Sequence, residues 1–79
     1  MVYCNLERIN GTKLLYSIGG IVTDITGKII VDYKSGEYKL IKAPEKYKVH
    51  DYYIRRLLNK VQADYDKGIF EKKISYEIG

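Results

Sequence analysis

Cys4 and His50 are the two residues whose types could supply a nucleophile and its base, and each is the only one of its kind in the chain. A cysteine attacks as the thiolate, so it needs a neighbouring base such as histidine. Catalysis would also need oxyanion donors and a pocket, and a chain of 79 residues indicates neither. Cys4 alternates with Val2 and Leu6, which is typical of a strand with one buried face. We therefore predict a core role for Cys4, a partly buried structural role for His50, and no enzyme activity.

Metal and acid–base sites are not indicated either. One cysteine and one histidine are fewer soft ligands than zinc sites use. Asp64 and Asp66 are two residues apart, and on a helix their side chains would diverge by about 200°. They would be solvated charges rather than a shared acid–base pair. We predict no catalytic residue, no metal ligand and no cofactor.

The strongest candidate site is a basic surface on a predicted helix. No acid occurs between residues 52 and 63, and two of the three arginines stand side by side there. Arginine can contact phosphate or carboxylate through two hydrogen bonds, and tyrosine adds rigid contact area. The predicted binding residues are Lys48, Tyr52, Arg55, Arg56, Asn59 and Lys60.

Three interpretations of this surface remain open: a solvated helix face, a contact for nucleic acid or a nucleotide, and a contact for a protein with an acidic surface. Nucleic-acid surfaces combine cations for the backbone with rings for stacking. The net charge is +4. Its positive sign disfavours an acidic DNA mimic, and its small size disfavours a purely electrostatic nucleic-acid binder. A second basic set consists of Lys28, Lys34, Lys39, Lys42, Lys46 and Lys48. If the outer face of the sheet is open, Lys39 and Lys42 could extend the patch, together with nearby tyrosines such as Tyr33.

Residues 46–67 are the only long run with a helical period. Pro44 precedes the run, and Lys67-Gly68 suits its end because glycine readily adopts the left-handed cap conformation. A later start, near Asp51, is the alternative. The apolar stripe of this helix would consist of Tyr47, His50, Ile54, Leu57, Leu58, Val61 and Tyr65.

Residues 2–18 are predicted to form a β-hairpin that turns at Asn10-Gly11, a dipeptide that suits both centres of a type I′ turn. Gly19-Gly20 separates apolar runs of opposite parity, which predicts a β-bulge or a sharp bend in the sheet. A phosphate-binding backbone at these glycines is the weaker alternative, since no Lys-Ser/Thr pair and no helix follow.

Two further segments have the alternation of strands. Residues 21–42 are predicted to form a three-stranded meander with tight turns, and residues 73–78 a half-buried last strand at an edge or in an oligomer. The predicted fold class is α+β, a single domain over residues 1–79. It has a four- to five-stranded, mainly antiparallel sheet, in the order β-β-β-β-α-β, with one amphipathic helix packed across one face.

The composition of the chain indicates the cellular compartment in which we expect it to act. The chain is 46% hydrophobic and 30% charged, as in ordinary globular proteins. A single cysteine cannot form an internal disulfide, and neither a secretory signal nor an apolar run of spanning length is present. We expect a cytoplasmic protein with no membrane contact.

In its size and its basic composition, with nine tyrosines, the chain resembles accessory proteins carried by phages and other mobile elements. We expect a small non-enzymatic binding protein that regulates or inhibits a macromolecular partner. The expected partner is a protein with an acidic surface, bound through the Tyr/Arg/Lys-rich helix face or an edge strand. A homodimer through the last strand is a further expectation. The alternative function is direct binding of RNA, DNA or an anionic nucleotide by the basic helix face.

Overall fold

The chain folds as four strands, one α-helix and a fifth strand, in the order that the sequence predicts. The computed structural model describes residues 2–69 and 71–76. A single turn of 3-10 helix, Val22–Asp24, follows the second strand. The strands are β1 (Val2–Asn10), β2 (Lys13–Gly19), β3 (Gly27–Asp32), β4 (Glu37–Lys42) and β5 (Lys73–Tyr76), and the helix is α1 (Asp51–Asp66).

The strands form one sheet in the spatial order β4-β3-β2-β1-β5. Every pair of neighbours is antiparallel. β4 and β5 are therefore the two edges, and α1 connects one edge to the other across a single face. This arrangement confirms the predicted α+β class and the antiparallel sheet.

The core lies between α1 and one face of the sheet. Successive residues of a strand point to opposite faces, so alternate positions enter the core. On α1, Ile54, Leu57, Leu58 and Val61 are buried at the spacing of an amphipathic helix. Burial of each is worth about 2 kcal/mol, so this stripe holds the helix on the sheet. The sheet residues of the core are Val2, Cys4, Leu14, Tyr16, Ile18, Ile29, Val31 and Ile74.

Helix α1 begins at Asp51, later than the apolar period predicts. The alternative start near this residue is therefore the correct one. Tyr47 and His50, which the predicted stripe turns toward the core, are both exposed. His50 precedes the first helical residue with an extended backbone, φ −69° and ψ 147°. The prediction of a partly buried His50 is wrong, because the helix that would have placed it in the core has not yet begun.

The C-terminus of α1 ends as the sequence predicts. Gly68 has φ +76°, the left-handed conformation that glycine adopts without steric cost. The Ile69 amide donates to the Asp64 carbonyl at 2.8 Å, and the Gly68 amide donates to the Tyr65 carbonyl at 2.9 Å. These two bonds form a Schellman motif, which satisfies carbonyls that the helix end would leave open.

The β1–β2 hairpin is confirmed, but its turn is shifted by one residue. Asn10 pairs with Lys13, so the loop consists of Gly11 and Thr12. Gly11 has φ +62°, and in the described chain only glycines have positive φ. A type I′ turn centred on Asn10-Gly11 needs positive φ at both residues, so the predicted turn type is wrong.

Residues 19–25 depart most from the predicted strands. β2 ends at Gly19, and a 3-10 turn replaces the first strand of the predicted meander. A Cβ on Gly19 would lie 2.3 Å from the Asp24 carbonyl oxygen, so the chain folds back tightly here. The glycines make a sharp bend rather than a bulge, and the register shifts of the sheet lie in β1 and at the β3–β4 pairing.

β5 is a half-buried edge strand, as predicted. It pairs with β1, and Ile74 lies in the core at 4% exposure. The predicted strand runs to residue 78, and residues 77 and 78 lie outside the described part of the chain. Within the described ranges, no helix is both long enough and apolar enough to cross a membrane.

Candidate functional site

The exposed side of α1 carries most of the predicted binding residues. Four of them are exposed on the side opposite the buried stripe, because positions 3, 4 and 7 apart share one side of a helix. We call these four residues the helix surface: Tyr52, Arg55, Arg56 and Asn59.

Arg56 is held in place by Tyr52, one helical turn earlier. Arg56 Nε and Nη2 donate to the Tyr52 hydroxyl at 3.2 and 3.1 Å, and its Cζ lies 5.3 Å from the centre of the Tyr52 ring. Tyr52 meets Tyr53 edge to face, with ring centres 5.6 Å apart at 81°. A guanidinium that is already positioned loses less side-chain freedom when it binds an anion.

Arg55 lies on the flank of α1 that faces β4. There the Tyr38 hydroxyl donates to the Asp51 carboxylate at 3.2 Å. Burial and the charge of Asp51 raise the pKa of Tyr38, and the charge of Arg55 opposes that rise. Arg55 therefore acts electrostatically on this pair. It also borders a shallow groove between α1 and the β3–β4 turn, which is lined by Gly36, Glu37, Tyr38, Arg55, Leu58, Asn59 and Gln62.

Two of the six predicted residues stand apart from the helix surface. Lys48 precedes the first residue of α1, so it does not share a helix face with the others. Lys60 Nζ lies 3.4 Å from an Asp64 oxygen and 3.6 Å from a Glu71 oxygen. The charge of Lys60 is therefore balanced within the chain, and less of it is open to a partner.

Most of the tyrosines with described side chains pack against other residues of the chain, and few are largely exposed. Tyr47 and Tyr52 are 55% and 49% exposed, whereas Tyr16 and Tyr65 are buried. Tyr33 stacks on Tyr65, with ring centres 4.4 Å apart and planes at 14°. Burial, followed by the interaction with Tyr65, raises the pKa of Tyr16.

Asp24 supports the site and was missed by sequence reasoning. Its side chain is 1% exposed and accepts the amides of Lys46 and Tyr47 at 2.9 and 3.0 Å and the Thr26 hydroxyl at 3.1 Å. Burial by itself would raise the pKa of Asp24, but these hydrogen bonds outweigh it and hold the pKa below its ordinary value. The carboxylate thus fixes the segment that leads into α1. The Asp-x-Thr-Gly sequence at residues 24–27 is a turn signal that could have found it.

Cys4 lies in the core, as predicted, at 2% exposure. Burial raises its pKa to about 12, so the thiol stays protonated at neutral pH. His50, the candidate base, is exposed at the start of α1. In residues 2–69 and 71–76, no group of three or more His, Cys, Asp and Glu side chains is arranged to hold a metal ion.

No protein-family model, no curated protein sequence and no solved structure is significantly similar to this chain.

Proposed function

We propose that this protein is a small non-enzymatic binding protein that regulates or inhibits a macromolecular partner by covering part of its surface. The observation that carries the proposal is the pairing of Arg56 with Tyr52 beside the exposed Arg55. Arginine and tyrosine are over-represented among the residues that dominate interface energies. Occlusion of a partner needs no catalytic group, which agrees with the buried, protonated thiol of Cys4.

The partner we propose is a protein with an acidic surface. The helix surface offers two guanidinium groups, and each suits bidentate contact with a carboxylate. Asp51, Asp64 and Asp66 lie on the same helix, and they would repel a continuous polyanion more than a discrete acidic patch. The exposed ring of Tyr52 adds apolar contact area between the charges.

The alternative is direct binding of RNA, DNA or an anionic nucleotide by the same basic surface. The exposed cations Lys46 and Lys48 of the preceding segment favour it, together with the exposed ring of Tyr47. They would extend the cationic area beyond the N-terminus of α1, where the helix dipole also attracts anions. Binding of this kind weakens steeply with salt, because each neutralised phosphate releases counterions.

Three further features belong to the proposal. The protein acts in the cytoplasm and is of the phage or mobile-element type. An edge strand, β4 or β5, offers a second mode of contact through its unpaired backbone groups, either to the partner or to another copy in a homodimer.

The test is a capture experiment with three baits: the wild-type chain, the double variant Arg55→Ala/Arg56→Ala, and the control Lys34→Ala/Lys72→Ala. The control removes two exposed lysines elsewhere, so the change in charge is the same. We expect the arginine variant to lose its protein partner, with affinity reduced at least about tenfold. Its melting temperature should stay close to that of the wild type, since both arginines are exposed.

Nuclease treatment separates the two candidate functions. A partner that survives the treatment and is lost only with the arginine variant supports protein binding. Nucleic acid that co-purifies, raises the 260/280 nm absorbance ratio and leaves at high salt supports the alternative. A folded arginine variant that binds every partner as the wild type does would eliminate the helix surface.

A further inference from the structure

The face of the sheet that α1 does not cover carries most of the net positive charge of the molecule. The register places cations from all five strands on this side, opposite the core positions. We call it the open sheet face, and its cations are Arg8, Lys13, Lys28, Lys39, Lys42 and Lys73. The three acids on the same side are Glu7, Asp32 and Glu37. Six cations and three acids give the face a net charge of +3, against +4 for the whole chain.

Two of the three acids are already engaged. Glu7 forms an ion pair with Lys28. Asp32 accepts the backbone amides of Lys34 and Ser35 at 3.0 and 3.2 Å. Arg8, Lys13, Lys39 and Lys73 enter no salt bridge that the structure records among the described residues, so the field above this face is positive.

The centre of the open sheet face is aliphatic. Arg8 pairs with Leu15, Leu15 with Ile30, and Ile30 with Lys39, so two apolar residues lie in one row between two cations. Leu15 and Ile30 are half-buried, and Ile41 beside them is 53% exposed. Shallow depressions join these side chains to the surrounding cations. An apolar centre with a charged rim is the anatomy of a protein interface.

We propose that the open sheet face is a second docking surface, separate from the helix surface, for a protein whose apolar patch is rimmed by Asp and Glu. Charge complementarity decides against a second copy, because two such faces related by a twofold axis would oppose cation to cation. It favours an acidic partner. The lack of stacking rings decides against nucleic acid: among the described side chains only Tyr3 places an aromatic ring on this face, and single strands bind by stacking on aromatics.

The two surfaces lie on opposite sides of a molecule whose shortest dimension is 19 Å. A protein bound to one would therefore leave the other open. The chain could then join two partners, or hold one partner by two sites.

The test uses two defined probes of equal negative charge. One is a short peptide in which glutamates flank a Leu-Phe-Leu centre, and the other is a single-stranded oligodeoxythymidine. Each is titrated into the full isotopically labelled chain, while amide chemical shifts locate the contact and fluorescence anisotropy gives the affinity. We expect the peptide to shift the amides of Leu15, Ile30 and Ile41, and to bind more tightly than the oligonucleotide.

Variants assign the binding energy. Arg8→Glu/Lys39→Glu should weaken peptide binding at least about tenfold by reversing two rim charges, and Ile41→Gln should weaken it through the apolar centre. Lys34→Glu/Lys72→Glu is the matched control, since it makes the same charge change in exposed residues away from this face. Because the amide shifts locate the contact, absence of shifts at Leu15, Ile30 and Ile41 is distinct from absence of a contact on α1, so failure here is distinct from failure of the helix surface.

Four outcomes would overturn the proposal. They are no peptide binding at millimolar concentration, shifts confined to α1, tighter binding of the oligonucleotide on this face, and a concentration-dependent dimer that Arg8→Glu/Lys39→Glu abolishes.

Discussion

Cys4, Arg56 and Tyr52 show how immediate neighbours set the chemistry of single residues. The Cys4 thiol is surrounded by apolar side chains, so its charged form is disfavoured and its pKa is raised to about 12. The Arg56 guanidinium is oriented by the hydroxyl of Tyr52, to which it donates two hydrogen bonds. One side chain has lost its usual reactivity, and the other has lost part of its conformational freedom.

The reactivity of Cys4 gives a test at this scale. In the native protein, a thiol-specific disulfide reagent should modify Cys4 at least about a hundredfold more slowly than a free cysteine, because the thiolate is scarce and the thiol is buried. The same reagent in denaturant should react at the ordinary rate. An exposed control is Lys34→Cys in a Cys4→Ala background, which should react fast when native. Fast labelling of native wild-type protein would contradict the core position of Cys4.

The bend between β2 and the 3-10 turn shows how two elements constrain one residue. Gly19 ends β2, and its hydrogen atoms face the Asp24 backbone at a distance that no Cβ could occupy. The neighbouring Gly20 has more room, since a Cβ there would meet the Tyr47 Cβ at 3.7 Å. The two adjacent glycines therefore have different structural roles.

This difference predicts opposite outcomes for two matched substitutions. Gly19→Ala should destabilise the fold by about 2 kcal/mol or more, because backbone atoms must move to admit the methyl group. Gly20→Ala should change stability by less than about 0.5 kcal/mol. Urea unfolding of both variants measures the difference in free energy. Equal effects of the two would mean that the tight approach of Asp24 to Gly19 is absent in solution.

The whole molecule is held together partly by two carboxylates that join distant segments. Asp24 binds the segment before α1, and Asp32 accepts the Ser35 and Lys34 amides and the Thr12 hydroxyl. The hydrogen bond from the Ser35 amide is the largest of the causes that lower the pKa of Asp32, and desolvation partly opposes it. The pKa of Asp24 is lowered too. Both carboxyls are therefore more readily ionised in the folded chain than in the unfolded one.

These shifts predict loss of stability in acid. A group whose pKa is lowered by folding contributes its full stabilisation above the unfolded value, about pH 4 for aspartate, and loses it as pH falls through the folded value. The melting temperature should therefore decrease as the pH is lowered below about 4. Asp24→Asn should melt lower than the wild type at neutral pH and lose less on acidification. Asp66→Asn, an exposed control, should follow the wild-type curve. A wild-type melting temperature that is constant down to about pH 2 would contradict the prediction.

The sequence by itself determined the features that rest on local periodicity. The apolar spacing from Ile54 to Val61 predicted the helix, and Gly68 predicted its end. Alternation predicted all five observed strands with nearly the observed bounds over the described residues, because side-chain direction repeats every two residues in a strand. It also predicted a further strand from residue 21, where the structure has a 3-10 turn. The helical spacing of the apolar residues also predicted the exposed positions of Arg55 and Arg56.

Only the tertiary structure decided where α1 begins and which cations share a face. Asp24 binds the Lys46 amide across 22 residues of chain, and an interaction between distant residues leaves no periodic signal. The same holds for Lys60, whose charge is balanced by Glu71 from beyond the helix. The cations of the open sheet face meet because strand register and two register shifts align them. Register depends on pairing between strands, so their common surface appears only once the chain is folded.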